Sequence, residues 1–307
     1  MNYLVTGCAG FIGYHTCKKL LDQGHTVVGI DNLNDYYDVY LKYHRLGLLK
    51  GNFNFYKGSI YPIDLEYLIT QKKITRIIHL AAQAGVRYSL MNPDAYVDSN
   101  IIGFQSVIEA VKKYQIKHFV YASSSSVYGS NQSPFVETMS CNDPLSFYAA
   151  TKLTNELTAK AYQNMHGVPS IGLRFFTVYG PLGRPDMAFS KFIDGIKNGK
   201  PIQVFNHGDM IRDFTYIDDI TDGIIAAVNQ PNDYARIYNL GRGEPVNLMD
   251  AIEIIAQKIG KPAILDFQGM QTGDVPSTVA NIELARAELG YRPTISIGDG
   301  IDRILAV

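Results

Sequence analysis

The sequence predicts an α/β protein with a doubly wound parallel sheet and a second, smaller α/β lobe. A glycine-rich turn lies near the N-terminus, between an apolar run and an amphipathic segment. After it, short apolar runs alternate with helical patterns as far as about residue 176, which is typical of parallel strands joined by crossover helices on both faces. Beyond that point, glycines and prolines divide the chain into shorter pieces, so we expect the second lobe to begin there.

The N-terminal turn has the features of a phosphate-binding site. Tyr3–Val5 predicts a buried strand, and Gly7, Gly10 and Gly13 follow it, three residues apart, before a segment of helical spacing. A strand that turns through glycines into a helix directs the free N–H groups and the positive dipole end of the helix at one point. Glycines are required there because a Cβ would block the approach of a pyrophosphate.

A second strand, predicted at Thr26–Asp31, ends in a carboxylate. Asp31 follows the glycine turn at about the 20-residue spacing that places an acid on the adenosine ribose in a dinucleotide-binding βαβ unit. An ordinary turn followed by a surface aspartate is the alternative, but it does not explain why strand, turn, helix, strand and acid occur in register. Asp31 also favours NAD over NADP, because its charge repels a 2′-phosphate. The first lobe is therefore predicted to be an NAD-binding Rossmann domain.

The remaining elements of the first lobe continue the alternation. Residues 32–50 are rich in tyrosine and predict a surface excursion that ends in part of a helix. Ala81–Gly85 follow the fourth strand, where small side chains let a cofactor lie close to the backbone. The other predicted strands of this lobe span 53–57, 76–80, 118–122 and 170–176, and its other helices span 62–71, 94–114 and 148–166.

In the second lobe the predicted elements are shorter and more widely spaced. Its strands are expected at 201–205, 214–217 and 237–240, and its helices at 248–259 and 282–289. Residues 218–229 are expected to return to the first lobe. We therefore divide the chain into an NAD-binding domain, 1–176 with 213–237 returning to it, and a substrate-binding lobe, 177–212 and 238–307.

The composition excludes several classes of function. The chain is 19% charged with a formal net charge of −1, so it lacks the basic excess of a protein that binds nucleic acid or a membrane surface. No apolar run approaches membrane-spanning length, and the first strand leaves no room for a signal peptide. Cys8, Cys17 and Cys141 form no CxxC pair, so free thiols in a reducing cytoplasm are expected. The histidines show no metal-ligand spacing, no metal is predicted, and His79 is expected to be a packed strand residue.

The predicted chemistry lies where the fifth strand ends. Four serines, Ser123–Ser126, follow that strand, and Tyr148 and Lys152 occur four positions apart further along, which places them on one helix face. A free phenol has a pKa of ~10, so a base at neutral pH must be stabilised by about 4 kcal/mol. Burial acts in the wrong direction, so nearby cations, Lys152 and an oxidised nicotinamide, have to supply this stabilisation.

A second Tyr–Lys pair with the same spacing shows that the spacing alone proves nothing. Tyr14 and Lys18 follow the glycine turn directly, at the pyrophosphate end, where no sugar hydroxyl would be oxidised. Only Tyr148 follows a serine cluster at the nicotinamide side. Tyr148 and Lys152 are therefore predicted to be the catalytic pair, and Tyr14 and Lys18 to be structural.

Several motifs resemble those of a known family. TGCAGFIG, ASSSSVYG and YAATK resemble the extended short-chain dehydrogenase/reductases that act on nucleotide sugars, and DNLNDYYDVYLK, HLAAQAGVRYSL, RFFTVYGPLGRPDMA and IRDFTYIDDI resemble the UDP-glucuronic acid 4-epimerases. The similarity runs from Tyr3 to about Tyr291. It implies that Ser124 hydrogen-bonds the sugar hydroxyl being oxidised, Tyr148 takes its proton and NAD takes the C4 hydride. The 4-keto sugar then rotates and receives the hydride on its other face. A homodimer is also implied, through helices 94–114 and 148–166.

The resulting site prediction has three groups of residues, with the second lobe binding the UDP-sugar. The catalytic group is Ser124, Tyr148 and Lys152. The cofactor group is Gly7, Gly10, Phe11, Ile12, Gly13, Asp31, Asn32, Ser59, Ile60, Leu80, Ala81, Ala82, Gln83, Asn100, Ser123, Tyr148, Lys152 and Phe175. The substrate group is Gly85, Val86, Arg87, Ser124, Ser125, Ser126, Thr177, Arg184, Lys191, Gln203, Phe205, Arg212 and Asp274. Arg212 is expected on the UDP phosphates, Asp274 on the uridine ribose, and Arg184 on the sugar carboxylate.

The chain departs from the family pattern at three positions, and other activities are weighed against the main one. Ser59 stands where the family usually has an aspartate near the adenine, Leu182 where it usually has a tryptophan, and Thr272 where it commonly has a proline. A dehydratase needs an acid and a base where this chain has Ser125 and Ser126, and a UDP-glucuronate decarboxylase usually has a glutamate at the second position. A UDP-glucose 4-epimerase is a further alternative. A non-catalytic NAD-binding module is disfavoured by the intact Tyr148 and Lys152.

Overall fold

The computed structural model describes residues 1–231 and 233–307, and a seven-stranded sheet forms its centre. All six pairings in this sheet are parallel. The chain starts in the middle of the sheet, moves outward to one edge, and then returns past the first strand to build the other side. The crevice where the direction reverses, beside β1 and β4, is where doubly wound folds bind ligands. The strands are β1 Asn2–Thr6, β2 Thr26–Asp31, β3 Phe53–Lys57, β4 Arg76–His79, β5 His118–Ser124, β6 Ser170–Phe175 and β11 Ala235–Leu240, in the order β11-β6-β5-β4-β1-β2-β3.

Helices cover both faces of this sheet because its strands are apolar on both sides. In β1, Tyr3 and Val5 belong to one hydrophobic cluster, and Leu4 between them belongs to the other, as expected when successive side chains alternate between faces. The helices of the described chain are α1 Phe11–Asp22, α2 Val39–Leu48, α3 Leu65–Gln71, α4 Tyr88–Met91, α5 Pro93–Tyr96, α6 Gly103–Lys113, α7 Phe147–His166, α8 Ala188–Asn198, α9 Ile217–Asn229, α10 Leu248–Ile259, α11 Glu283–Leu289 and α12 Ile297–Leu305. None of them combines the length and apolar character needed to cross a membrane.

Small sheets build the second lobe above the carboxyl ends of the large one. They pair β7 Thr177–Tyr179 with β10 Phe214–Tyr216, and β8 Ile202–Val204 with β13 Leu265–Phe267; β9 Ile211–Arg212 lies between β12 Val246–Asn247 and β14 Ser277–Thr278. Because β9 is paired on both sides, the backbone of Arg212 has a fixed position above the large sheet.

The predicted fold class is confirmed, and three element predictions need correction. The helix predicted over 94–114 begins at Pro93 and passes through a π-helical turn at Val97–Ile102. Three helices, α4, α8 and α12, were not predicted, and the returning segment 218–229 forms a fourth, α9. The glycines and prolines around α8 bound the helix rather than break it, since Gly199 forms its left-handed C-cap. The third correction concerns the boundary after residue 237: it falls inside β11, whose residues all pair with β6, so the whole strand belongs to the large sheet.

Candidate active site

A single large cavity runs along the carboxyl edge of the sheet and under the second lobe. Its volume is about 1430 Å³, larger than the roughly 300–1,000 Å³ of a typical pocket for one small ligand. The cavity therefore has room for two extended ligands that meet near its middle. The ends of β1, β2, β4, β5 and β6 line one half, and segments of the second lobe line the other.

The glycine turn presents uncapped N–H groups to this cavity. Gly7 has φ +70°, and a Cβ there would lie 2.8 Å from the backbone nitrogen of Ala81, so only glycine fits between β1 and the end of β4. Gly10 is the N-cap residue of α1, where no side chain caps the helix. The first N–H groups of a helix have no partner within the helix, and here they are available to a phosphate.

Asp31 ends β2 at the rim of the same half of the cavity. Its carboxylate accepts hydrogen bonds from the backbone N–H groups of Ala9, at 3.1 Å, and Leu33, at 2.8 Å. These bonds fix the carboxylate beside the glycine turn. Each oxygen retains a lone pair for a ribose hydroxyl. The turn and the acid together fit NAD, with the pyrophosphate at α1 and the adenosine ribose at Asp31.

The turn after β4 is held from below by buried polar side chains. Thr6 Oγ1 accepts from the backbone nitrogen of Ala81 at 3.1 Å and lies 2.8 Å from His79 Nδ1. His79 is buried, and burial together with the charge of Lys152 lowers its pKa from 6.5 to about 3. The imidazole is therefore neutral, and its Nδ1 shares a hydrogen bond with the Thr6 hydroxyl. The prediction that His79 is a packed strand residue is confirmed.

Asn100 is the one predicted cofactor residue that does not line the cavity. Its side chain is buried behind the turn, where it accepts from Gln83 N at 2.8 Å and donates to Gln83 O at 3.0 Å. The cavity lining thus gives no support to the predicted contact with the cofactor, which stays a prediction. Asn100 instead fixes the backbone of the turn on which the cofactor would lie, and the π-helical turn that carries it sets its position.

The three predicted catalytic residues converge where the two halves of the cavity meet. Ser146 caps α7 by accepting from Ala149 N at 3.1 Å, so that Tyr148 lies in the first turn and Lys152 one turn later. Lys152 Nζ donates to the carbonyl oxygen of Ala122, on β5, at 3.0 Å. Ser124, at the end of β5, accepts from the backbone nitrogen of Ser126 at 3.2 Å. Helix and strand end are thereby tied together at the site.

The electrostatics of this group differ in one respect from the prediction. Burial raises the pKa of Tyr148, while a hydrogen bond from the Ser124 side chain and the charge of Arg184 lower it. Burial also lowers the pKa of Lys152 to about 8, against the opposing effect of Glu156. Arg184, from the second lobe, is thus a further cation whose charge lowers the pKa of Tyr148, in addition to Lys152, which the sequence predicts for this role.

An ion pair beneath the catalytic residues fixes their surroundings. Arg174 donates to both carboxylate oxygens of Glu156, at 2.9 and 2.7 Å, and Ser123 Oγ donates to the same carboxylate at 2.5 Å. All three side chains are buried. Removing one partner of such a pair leaves an uncompensated buried charge, so the pair holds β5, β6 and α7 in one arrangement.

Arg184 lies in the half of the cavity that the second lobe lines. The sugar is predicted to bind there, so this is called the sugar half. The Nε and Nη2 of Arg184 donate to Asp186 at 3.0 and 2.5 Å, which is the ion pair that a structural arginine would make. The guanidinium also lines the cavity and lowers the pKa of Tyr148. Five N–H donors are present on a guanidinium, and these two bonds use only part of them.

Charged side chains from both lobes meet at the outer end of the cavity. Arg87, after the β4 turn, lies 3.5 Å from Asp274 and 4.7 Å from the centre of the Phe205 ring. Arg212 Nη1 donates to the carbonyl oxygens of Ile211, at 2.9 Å, and Pro276, at 3.1 Å. An anionic diphosphate and a ribose have suitable partners here.

Apart from Asn100, all predicted site residues line this cavity, although their individual roles stay predictions. Tyr14 and Lys18 do not: Tyr14 is buried in the core, and Lys18 pairs with Asp22 at 2.6 Å on the surface.

The sequence reasoning missed Lys42, which lines the cavity near Asp31 and donates to Asn34. It also missed tyrosines in the cavity wall or directly behind it, among them Tyr36, Tyr88 and Tyr96. The tyrosine content of residues 32–50 was the available signal for Tyr36.

The fold and the site define an NAD-dependent α/β enzyme. The chain belongs to the NAD-dependent epimerase/dehydratase family, whose model matches residues 3–241. It is 46% identical to a UDP-glucuronate 4-epimerase of Thermodesulfobacterium geofontis, over 98% of this chain and 94% of the relative. It is 44% identical to a probable UDP-glucuronate 4-epimerase of Rhizobium meliloti, over 99% and 96%. The crystal structure of UDP-glucuronic acid 4-epimerase from Bacillus cereus, in complex with UDP-glucuronic acid and NAD, superposes with a TM-score of 0.94 at 37% identity, covering 100% of this chain and 99% of that one.

Proposed function

We propose that this protein is an isomerase that interconverts UDP-glucuronate and UDP-galacturonate by reversible oxidation at C4 of the sugar. The similarity to UDP-glucuronate 4-epimerases over nearly the whole of both chains supports this activity. The observation that carries it is the position of Arg184. One cation lies both in the sugar half of the cavity and within electrostatic reach of the proposed base, Tyr148.

The residues of this chain account for the proton transfers in the reaction. NAD, when bound, supplies a two-electron acceptor that can return the hydride to C4. Tyr148, as phenolate, takes the proton of the C4 hydroxyl while Ser124 hydrogen-bonds the same oxygen, and a 4-keto sugar results. After the ring has turned over, Tyr148 returns the proton to the oxygen of the opposite epimer. Positioned acid–base groups of this kind contribute roughly 10²- to 10⁴-fold to a rate.

Arg184 has a second task, because the 4-keto sugar is a β-keto acid. Such an acid loses CO₂ once the bond to its carboxylate aligns with the carbonyl π system. A charge-assisted hydrogen bond from Arg184, with hydroxyl donors from Ser125, Ser126 and Thr177, holds the carboxylate out of this alignment. The site therefore favours epimerisation over decarboxylation.

Other reactions also begin with oxidation at C4, but the residues of this cavity support them less well. Elimination of water across C5 and C6 needs an acid and a base beside Ser124. Ser125 and Ser126 occupy those positions, and Ser126 is hydrogen-bonded to Ser124. A hydroxyl does not exchange protons near neutral pH as a carboxyl does.

We further propose a homodimer in a reducing cytoplasm. On the helices that resemble the family's dimer interface, Ile102, Leu157 and Met165 expose large apolar side chains, which a second copy would cover. Cys8, Cys17 and Cys141 are free thiols, as is usual in a reducing compartment. The mass of the purified protein by light scattering tests the dimer.

A product assay tests the activity directly. The purified protein is incubated with UDP-glucuronate deuterated at C4, and the products are followed by NMR beside a panel of neutral UDP-sugars. We expect UDP-galacturonate that retains the deuterium, without added NAD in stoichiometric amounts. Release of CO₂ at a rate near that of epimerisation would replace this proposal by a decarboxylase.

A further inference from the structure

A buried arginine outside the cavity joins the two lobes. Arg45 lies on α2, in the tyrosine-rich segment, and its side chain is 0% exposed. Toward the first lobe, Nη1 donates to the carbonyl oxygen of Ala9 in the glycine turn, at 2.9 Å, and to the Tyr37 hydroxyl, at 2.7 Å. Toward the second lobe, Nε and Nη2 donate to the carbonyl oxygen of Leu182, at 3.2 and 2.6 Å. One guanidinium thus binds the phosphate turn and the loop after β7.

The loop that Arg45 holds has an unfavourable backbone conformation. Leu182 has φ +55°, in the left-handed region that residues with a Cβ avoid, and such a conformation persists only where the surroundings hold it. Arg45 provides this restraint through the two bonds to the Leu182 carbonyl and a longer one, of 3.4 Å, to Gly183. Arg184 is the next residue, so its place in the cavity depends on these bonds.

The partners of Arg45 make it more than a packing residue. Within the described chain, its hydrogen-bond acceptors are three carbonyl oxygens and one phenol. Burial of this charge is costly, and Asp31 offsets the cost only through its charge, without a hydrogen bond to the guanidinium. A lysine keeps the charge but has one nitrogen, which cannot reach acceptors on both lobes as a planar guanidinium does.

We propose that Arg45 is a positioning residue for recognition of the acidic sugar, and that it acts by holding the Arg184 loop against the phosphate turn. Arg45 does not line the cavity and so would contact neither ligand. This inference rests on the proposed function, in which Arg184 binds the sugar carboxylate. Discrimination between an acidic and a neutral UDP-sugar then depends on a group outside the ligand site.

The test compares the binding of two ligands by calorimetry to the NAD-loaded protein, in a Tyr148→Phe background that prevents turnover. For each variant, the measured quantity is the Kd of UDP-glucose divided by that of UDP-glucuronate. Arg184→Gln should lower this ratio by roughly 10- to 150-fold, the equivalent of one charge-assisted hydrogen bond. Arg45→Lys should lower it by at least about fivefold, and adding Arg45→Lys to Arg184→Gln should lower it no further. Arg303→Lys, at an exposed ion pair with Asp218, is the control and should change nothing.

The outcomes separate this inference from the proposed function. If Arg184→Gln lowers the ratio but Arg45→Lys weakens both ligands equally, Arg45 is only structural and the inference is wrong. An unchanged ratio in Arg184→Gln would remove the carboxylate role of Arg184, and the inference with it. Should Arg45→Lys fail to fold, Arg45→Gln replaces it: the shorter amide cannot reach acceptors on both lobes, and an unchanged ratio would overturn the positioning role.

Discussion

The guanidinium of Arg184 lies over the ring of Tyr36, 5.6 Å from its centre. Tyr36 also donates its hydroxyl proton to Asp186 at 3.1 Å, and the same carboxylate binds Arg184. Tyr36 belongs to the first lobe and Arg184 to the second, so the contact holds a cation at the junction of the two halves of the cavity. In the proposed mechanism, the base Tyr148 and the substrate carboxylate both depend on this charge.

The first prediction separates the two Tyr–Lys pairs. Tyr148→Phe should lower kcat by about 10²- to 10⁴-fold, since it removes the positioned base. Tyr14→Phe has the same spacing to a lysine but lies outside the cavity, and should leave kcat within about twofold, because it deletes only a hydroxyl from a core residue. Steady-state rates with UDP-glucuronate provide the measurement. Equal losses would show that the wrong pair was chosen.

The second prediction concerns the pH dependence of kcat/KM. The ascending limb reports loss of the Tyr148 proton, and the charge of Arg184 lowers the pKa of Tyr148. Arg184→Gln should therefore shift the ascending limb to higher pH. Arg303→Gln is the control, and an ascending limb that did not move in Arg184→Gln would contradict the coupling.

The third prediction is that Arg184 and Thr177 suppress loss of CO₂. Arg184→Gln and Thr177→Val should each release UDP-pentose beside the epimer, because the carboxylate of the 4-keto acid is no longer held out of alignment. A lost charge-assisted bond is worth roughly 1.5–3 kcal/mol, so the arginine variant should leak more. NMR of the products gives the ratio. Variants that slow epimerisation without any pentose would disprove this role.

The fourth prediction places the diphosphate of the substrate. Arg212→Ala should raise KM by roughly 10-fold or more, the equivalent of a charge-assisted contact, with a smaller effect on kcat. Arg286→Ala, at an exposed ion pair with Glu283, is the matched control. If KM were unchanged, Arg212 would serve only the carbonyl oxygens of Ile211 and Pro276.

The fifth prediction links a buried histidine to acid stability. The pKa of His79 is about 3 in the folded chain and 6.5 in the unfolded one, so the neutral ring contributes fully above pH 6.5 and the contribution is lost as the pH falls toward 3. At pH 5 the difference amounts to about 2 kcal/mol. His79→Asn keeps a hydrogen-bonding group but cannot titrate. Urea unfolding at pH 5 and 7.5 should show a smaller pH effect in the variant than in wild type, and equal effects would refute it.

The sequence could predict features that short stretches of chain determine. The glycine turn, Asp31 and the Tyr148–Lys152 spacing each lie within one strand–turn–helix unit or one helix, so their geometry follows from local rules. Contacts between distant segments could not be predicted from the sequence. Arg45 meets Leu182, Tyr36 meets Asp186, and Thr6 meets His79 only because the folded sheet and loops bring them together.

The differences between the sequence predictions and the structure also come from contacts that no local sequence pattern specifies. Asn100 lies on a helix close in sequence to the cofactor turn, but the π-helical turn rotates its side chain toward the backbone of Gln83 instead of the cavity. A regular helical pattern cannot reveal such a rotation. The return of the chain through β11 depends on pairing with β6, which no local pattern specifies.

The strand order has a practical consequence for engineering. The chain leaves the large sheet after β6, comes back through α9 and β11, and leaves again after Leu240. The second-lobe residues predicted to face the sugar nucleotide are consequently encoded in two separate stretches, with sheet-forming sequence between them. To transfer the substrate preference of a relative, both stretches have to be exchanged while β11 is kept. Exchanging a single contiguous segment would combine half of one binding pocket with half of another.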